Sequence, residues 1–227
     1  LDRVRKHIKR GATLILNDDA TLSSGISNLT NALSQTPGGK VSCNIYCSWQ
    51  AHQGLDIHFD CHDVFAIQIA GRKRWNVFQR YFQDPINHPA FRQLGQDFHN
   101  RNCGPVSLDV TMTPGDLIYI PSGYYHAAMA ESEASLHLTF SVVHPIGLDL
   151  ITAVYERAIY DDLFRRAIPH PSVDNGKKTE QHLVQLAGRF RELVRDEEFQ
   201  EAFINKLRDF KYETHPLTLP QDAYEDE

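Results

Sequence analysis

Between Lys40 and about Val143 the chain is broken into short runs, VSCNIYCSW, LDIHFD, DVFAIQIAG, KRWNVFQ, VSLDVTMT, DLIYIP, HAAMA and SLHLTFSVV, parted by Gly, Pro, Asp and Asn. No other feature narrows the possible folds so far. The runs are rich in β-branched and aromatic residues, which fit a pleated, half-buried surface, and the breakers stop them before a helix could establish itself. With no helices between them to serve as βαβ crossovers, the runs predict an antiparallel double-sheet barrel or jelly roll.

The flanks follow another period. Residues 1–36 predict short helical pieces around one strand at 12–16, with a helix over 24–33 closed by Pro37-Gly38-Gly39. After His144-Pro145, apolar residues recur at helical spacing: Leu150, Ile151, Val154, Tyr155, Ala158 and Ile159, then Leu183, Leu186, Phe190 and Leu193, then Phe199, Phe203 and Phe210. Asp196, Glu197 and Glu198 sit where a helix start favours negative charge. The expected fold is mainly β with α: a barrel domain over 1–147 with short N-terminal helical pieces, a helical region over 148–212, and an acidic tail over 213–227.

Composition sets the setting rather than the site. Lys and Arg number 23 against 29 Asp and Glu, a net charge of −6, most of it falling after residue 150. The short basic cluster Arg3, Arg5, Lys6, Lys9 and Arg10 is not the long basic stripe of a nucleic-acid binder, so no direct nucleic-acid contact is predicted and a basic protein or peptide is the expected partner. No run approaches the roughly 18 to 20 apolar residues of a spanning helix, and LDRVRKHIKR leads into no apolar signal-peptide core. Four scattered cysteines, Cys43, Cys47, Cys61 and Cys103, suit a reducing compartment, and the expected location is the cytoplasm or another intracellular space such as the nucleus. Beginning at Leu1 rather than Met, the chain is expected to lack a natural N-terminal segment.

Twelve histidines are many for this length and direct the search to a metal site. In GLDIHFDCHDVF, strand alternation sends His58 and Asp60 to one face and Ile57 and Phe59 to the other. A His and an Asp on one face are two thirds of the 2-His-1-carboxylate triad that binds Fe(II) on one side and leaves positions open. His126 opens the strand after Pro121-Ser122-Gly123, and a hairpin return beside the first strand would bring it in as third ligand, although sequence separation alone does not decide this. Cys43, Cys47 and Cys61-His62 lack the CxxC or knuckle spacing of structural zinc.

HFD, then DVFAIQIAGRKRW, then PGDLIYIPSGYYH, then SLHLTFS together resemble the JmjC-type oxygenases of the cupin superfamily, most nearly the ribosomal oxygenase branch. The resemblance runs in order over about residues 10–147. It implies a double-stranded β-helix followed by a C-terminal helical region, with His58, Asp60 and His126 as ligands of Fe(II) and 2-oxoglutarate as cosubstrate beside molecular oxygen. It further implies Lys73, within GRKRW, as the cation for the far carboxylate of 2-oxoglutarate, with Tyr46 and Ser141 as further cosubstrate contacts and Asn44, Thr139 and His137 nearby. Related halogenating enzymes replace the carboxylate ligand by a small residue; Asp60 is present, so oxygen insertion is the expected reaction.

By the same resemblance the chain is expected to hydroxylate a protein side chain, of a ribosomal protein in that branch, and to form a homodimer through its C-terminal helices. The family's winged-helix domain is not seen in this stretch, which weakens the case for a ribosomal substrate. Two alternatives stay open: N-methyl-lysine demethylation by the same chemistry, and a non-enzymatic cupin binding module.

Overall fold

Nine strands are found among the described residues of the computed structural model, which are 6–7, 10–17, 22–35, 39–49, 53–132 and 134–211. Arg3, Arg5, Lys9, His52 and the expected tail from Glu213 lie outside them. In chain order the strands are β1 (Leu14–Leu16), β2 (Lys40–Trp49), β3 (Gln53–His58), β4 (Asp63–Ala70), β5 (Lys73–Tyr81), β6 (Val106–Met112), β7 (Leu117–Ile120), β8 (Tyr124–Ala130) and β9 (Ala134–Val143). They form two antiparallel sheets of order β1-β2-β9-β4-β7 and β3-β8-β5-β6, the two walls of a double-stranded β-helix.

Alternation assigns the faces. On β2, Val41, Cys43 and Ile45 pack outward with Phe140 and Val142 of β9 and with Ile26, Leu29 and Leu33 of helix α1 (Ser24–Gln35). Ser23 caps that helix, its Oγ accepting from the Ile26 N–H at 3.3 Å. Phe140 is fully buried, and truncating it to Ala would cost about 3–5 kcal/mol. The other face of the same strands looks into the barrel. Register pairs Tyr46 with His137 and Asn44 with Thr139, and β4 continues the row with Val64 and Ala66. Val64 and Ala66 join Trp75, Val77, Met112, Ile118 and Ile120 in an apolar core between the sheets, while the polar members of the inward rows gather around a cavity.

Two short helices, α2 (Pro89–Arg92) and α3 (Gln96–Asn102), fall between β5 and β6, where strand patterning predicts neither. Beneath them Phe59, Phe78, Tyr125 and Ala127 cover the outer face of the smaller sheet.

The chain divides into two compact units, one running up to His144 and the other Pro145–Phe210. The second contains α4 (Gly147–Ala158), α5 (Asp162–Arg165), a 3₁₀ turn (Pro171–Val173), α6 (Lys177–Arg195) and α7 (Glu197–Arg208). Its core is Ala153, Val154 and Ala158 with Leu193 and Phe199. Asp196 caps α7 by accepting from the Phe199 N–H at 2.9 Å. The apolar residues of α4 split between two faces: Val154 and Ala158 enter this core, whereas Leu148, Ile151 and Tyr155, followed by Ile159 just past the helix, are exposed. No helix among the described residues is long and apolar enough to cross a membrane.

Candidate metal centre

β3 and β8 pair so that His58 stands directly opposite His126. Two corrections to the sequence expectation arise here. β3 ends at His58, so Asp60 reaches the same side from the connection to β4 rather than by strand alternation. β7 and β8 belong to different sheets, so Pro121-Ser122-Gly123 is a crossing between the walls and not a hairpin. That turn nevertheless secures the connection, since the Gly123 N–H donates to the Asp60 carbonyl at 2.9 Å. Gly123 has φ of +83°, and a Cβ there would stand 2.1 Å from the Phe82 carbonyl oxygen, so the turn requires glycine.

One ligand atom from each of His58, Asp60 and His126 lies within 4.8 Å of the others, a spacing able to hold a metal ion. Nε2 of His126 is 3.4 Å from the Asp60 carboxylate and Nε2 of His58 is 4.0 Å from it. Both rings are held from behind: Nδ1 of His58 donates to the Asp56 carbonyl at 2.7 Å, and Nδ1 of His126 donates to the Tyr124 carbonyl at 3.0 Å. A carbonyl only accepts, so each Nδ1 carries the proton and each Nε2 lone pair faces the triad. Burial lowers the pKa of His58, assisted by the neighbouring His126 charge, which keeps the ring in its ligating form. Burial opposes ionisation of Asp60, but the surrounding imidazoles of His126, His58 and His62 outweigh it and hold the carboxyl below its ordinary range.

The cavity beyond these three is lined by Tyr46, Lys73, Trp75, His137 and Thr139, and by Ile15 of β1 with Thr13 just before that strand. Lys73, only 6% exposed, projects inward from the start of β5. Burial lowers its pKa from 10.5 to about 8, so the ammonium persists at neutral pH. Burial, then the charge of Asp60, raises the pKa of Tyr46, which stays a neutral phenol. Ser141 is buried next along the inward row of β9 but is not among the lining residues. The strand at 12–16 was legible and β1 falls within it, but its place on the cavity was not, because local pattern does not tell which sheet a strand joins; the β9 row was recoverable from alternation through His137, Thr139 and Ser141.

A model of the JmjC domain matches residues 22–150, more than half of the chain. The chain belongs to the JmjC domain family. Among relatives of this JmjC domain protein, Ribosomal oxygenase 1 of Danio rerio is 26% identical over 225 residues, covering 92% of this chain and 41% of the relative. The bifunctional lysine-specific demethylase and histidyl-hydroxylase NO66 of Dictyostelium discoideum is 32% identical over 158 residues, covering 69% of this chain and 30% of the relative. Among solved structures, Escherichia coli ycfD superposes with a TM-score of 0.66 at 20% identity, over 93% of this chain and 56% of that one. A structure of YcfD, a ribosomal oxygenase from the same organism, in complex with cobalt and 2-oxoglutarate, gives 0.63 at 19% identity, over 93% of this chain and 55% of that one. The JmjC domain protein therefore shares their barrel fold while spanning less than half the length of these two curated relatives.

Proposed function

We propose that this JmjC domain protein is an Fe(II)- and 2-oxoglutarate-dependent oxygenase that hydroxylates a protein side chain, with His58, Asp60 and His126 as the metal ligands. The observation that carries the reading is a triad of two imidazoles and one carboxylate at one end of a cavity whose wall holds the buried Lys73 ammonium. The donor set is the facial arrangement suited to non-haem Fe(II). The cavity fits a dicarboxylate as well. Among the described residues no carboxylate pairs with Lys73, and the buried indole N–H of Trp75 has no partner, so the wall presents donors that call for an anionic acceptor.

When bound, Fe(II) with 2-oxoglutarate and O2 supplies the oxidising power: the oxo acid is decarboxylated to succinate and CO2, one oxygen atom entering succinate and the other the substrate C–H bond. The chain's residues do the rest. The Asp56 and Tyr124 carbonyls orient the two imidazoles. Lys73 meets the far carboxylate, and the neutral Tyr46 phenol offers a hydrogen bond without adding charge. Val64 and Ala128 contribute apolar lining to the cavity. From β9, His137 and Thr139 reach the cavity; Ser141 is buried two residues further along the same strand and does not line it. None of these side chains is needed as a proton donor or acceptor for hydrogen abstraction, which leaves positioning and solvent exclusion as their work.

The relatives' names, a ribosomal oxygenase and a lysine-specific demethylase and histidyl-hydroxylase, support a protein side chain as the substrate, and the net charge of −6 favours a basic partner. The Dictyostelium relative's name also contains a demethylase, and the same site acting on an N-methyl group would release formaldehyde. The exposed apolar row Leu148, Ile151 and Tyr155 on α4, continued by Ile159 just past its end, supports a homodimer through the helical unit. The four cysteines form no disulfide with one another, which supports an intracellular setting.

The deciding experiment incubates the full chain with Fe(II), 2-oxoglutarate and candidate basic proteins, following succinate, formaldehyde and a one-oxygen mass gain beside a His58→Ala control. Succinate with the mass gain and no formaldehyde is the expected result. Absence of both, from protein shown to bind metal, would remove the hydroxylase reading, and formaldehyde without retained oxygen would replace it by demethylation.

A further inference from the structure

His137 has an environment that packing alone does not explain. It lies on β9 opposite Tyr46 of β2 and Gln68 of β4 and is 3% exposed. Its ring stacks on Tyr46 with centroids 4.7 Å apart and planes 14° from parallel, and it meets Trp75 edge-on at 5.6 Å. Two aromatic contacts at right angles leave the imidazole little rotational freedom. Nδ1 then stands 3.5 Å from Lys73 Nζ, the one hydrogen bond that Nζ makes to the described residues.

The chemistry of this contact runs in one direction. An ammonium has donors only, so Nδ1 must accept, the ring proton sits on Nε2, and the imidazole is neutral. Burial, then the charge of Lys73, pushes the His137 pKa down to about 2, so the acceptor is preserved throughout the working pH range. The Tyr46 and Trp75 rings flank the same cation, with Nζ 5.9 and 6.0 Å from their centroids. An aspartate in place of His137 would also orient the ammonium, but it would neutralise the charge that an incoming carboxylate needs. A neutral acceptor directs one N–H and leaves the full charge and two further N–H groups for a ligand.

We propose that His137 is the positioning residue for Lys73: as a neutral acceptor it aims the ammonium into the cavity without discharging it, and so makes this wall specific for a carboxylate. The inference rests on the 2-oxoglutarate reading above and adds to it the residue that sets the affinity and charge requirement of the far end.

The test measures Kd for 2-oxoglutarate by calorimetry on the full chain loaded with Mn(II), and Kd for Mn(II) alone by electron paramagnetic resonance. His137→Phe keeps a stacking ring and removes the acceptor; 2-oxoglutarate binding should weaken by about tenfold or more, the loss of a hydrogen bond to a charged group. His137→Asn and His137→Asp form a pair of equal size that differs in charge. Asn, with its amide oxygen near the Nδ1 position, should recover most of the loss, whereas Asp should bind more weakly than Phe because it neutralises Lys73. Mn(II) affinity should stay within about twofold throughout, given that none of the three ligands is altered. A structural role alone would rank Asn and Asp together, so equal binding by these two, or wild-type binding by Phe, overturns the proposal. If wild type binds 2-oxoglutarate and Lys73→Ala does not while Phe does, the positioning role fails and the cosubstrate reading stands. If folded, Mn(II)-loaded wild type does not bind 2-oxoglutarate, both fall.

Discussion

Replacing Lys73 by Met should stabilise the ligand-free protein while removing its capacity to bind 2-oxoglutarate. Lys73 is 6% exposed, has no carboxylate partner among the described residues, and its pKa falls from 10.5 to about 8 through burial. That fall corresponds to about 3 kcal/mol of penalty for keeping the ammonium charged at pH 7. Met is unbranched, of similar length and free of charge, and repacking it should return less than about 1.5 kcal/mol of the gain. The expected net effect is about 1–3 kcal/mol, several degrees in melting temperature for a chain of this size. The folded pKa lies below the unfolded one, so the unfolded chain binds more protons between about pH 8 and 10.5. Wild-type stability, compared with Lys73→Met, is therefore flat below pH 8 and climbs through that window, and the gap between the proteins at pH 9.5 should be about 2 kcal/mol smaller than at pH 7. Urea titrations at both pH values, followed by tryptophan fluorescence, measure this; both tryptophans, Trp49 and Trp75, lie on barrel strands, so the signal reports that unit. With Mn(II) present and 2-oxoglutarate at about 1,000 times Kd the order should reverse, because ligand then adds about 4.1 kcal/mol to wild type alone. A variant that is less stable than wild type without ligand, with a gap indifferent to pH, would refute the claim that Lys73 is held charged at a cost for the sake of a ligand.

Asp60→Asn should weaken Mn(II) binding by more than the roughly 10–100-fold typical of losing an outer-sphere partner, read by electron paramagnetic resonance, because it replaces the sole carboxylate of the triad. Gly123→Ala should destabilise the barrel by at least about 2 kcal/mol in urea denaturation, since a Cβ at φ +83° meets the Phe82 carbonyl at 2.1 Å; if the turn shifts instead, it withdraws its N–H from Asp60 and metal affinity should fall. Tyr155→Asp on the exposed face of α4 should convert a dimer to a monomer in sedimentation velocity with the melting temperature nearly unchanged, whereas a wild-type monomer at micromolar concentration would remove the dimer proposal.

The barrel was legible in the sequence because its evidence is local: period-2 runs between breakers define strands wherever one face is buried, and apolar residues at helical spacing announced α4, α6 and α7. His58 and Asp60 stood out for the same reason, being two residues apart. What lies between runs was less legible. The helices α2 and α3 are too short to show a period, and the end of β3 at His58 depends on how Phe59 is taken into the outer aromatic cluster with Tyr125 and Phe82.

By itself the sequence determined the double-sheet architecture, the helical segment after His144 and a set of candidate side chains, all readable within windows of ten residues or so. Only tertiary structure decided which of them meet. His126 faces His58 because β8 crosses to the smaller sheet and takes one particular register there, and a slip of one residue would have turned its imidazole to the outer face. His137 reaches Lys73, and α4 leaves one of its two apolar faces exposed, through packing between residues far apart in the chain. Periodicity states that a side chain is buried on a face; it carries no information about the partner on the opposite wall, and in this protein that partner makes the site.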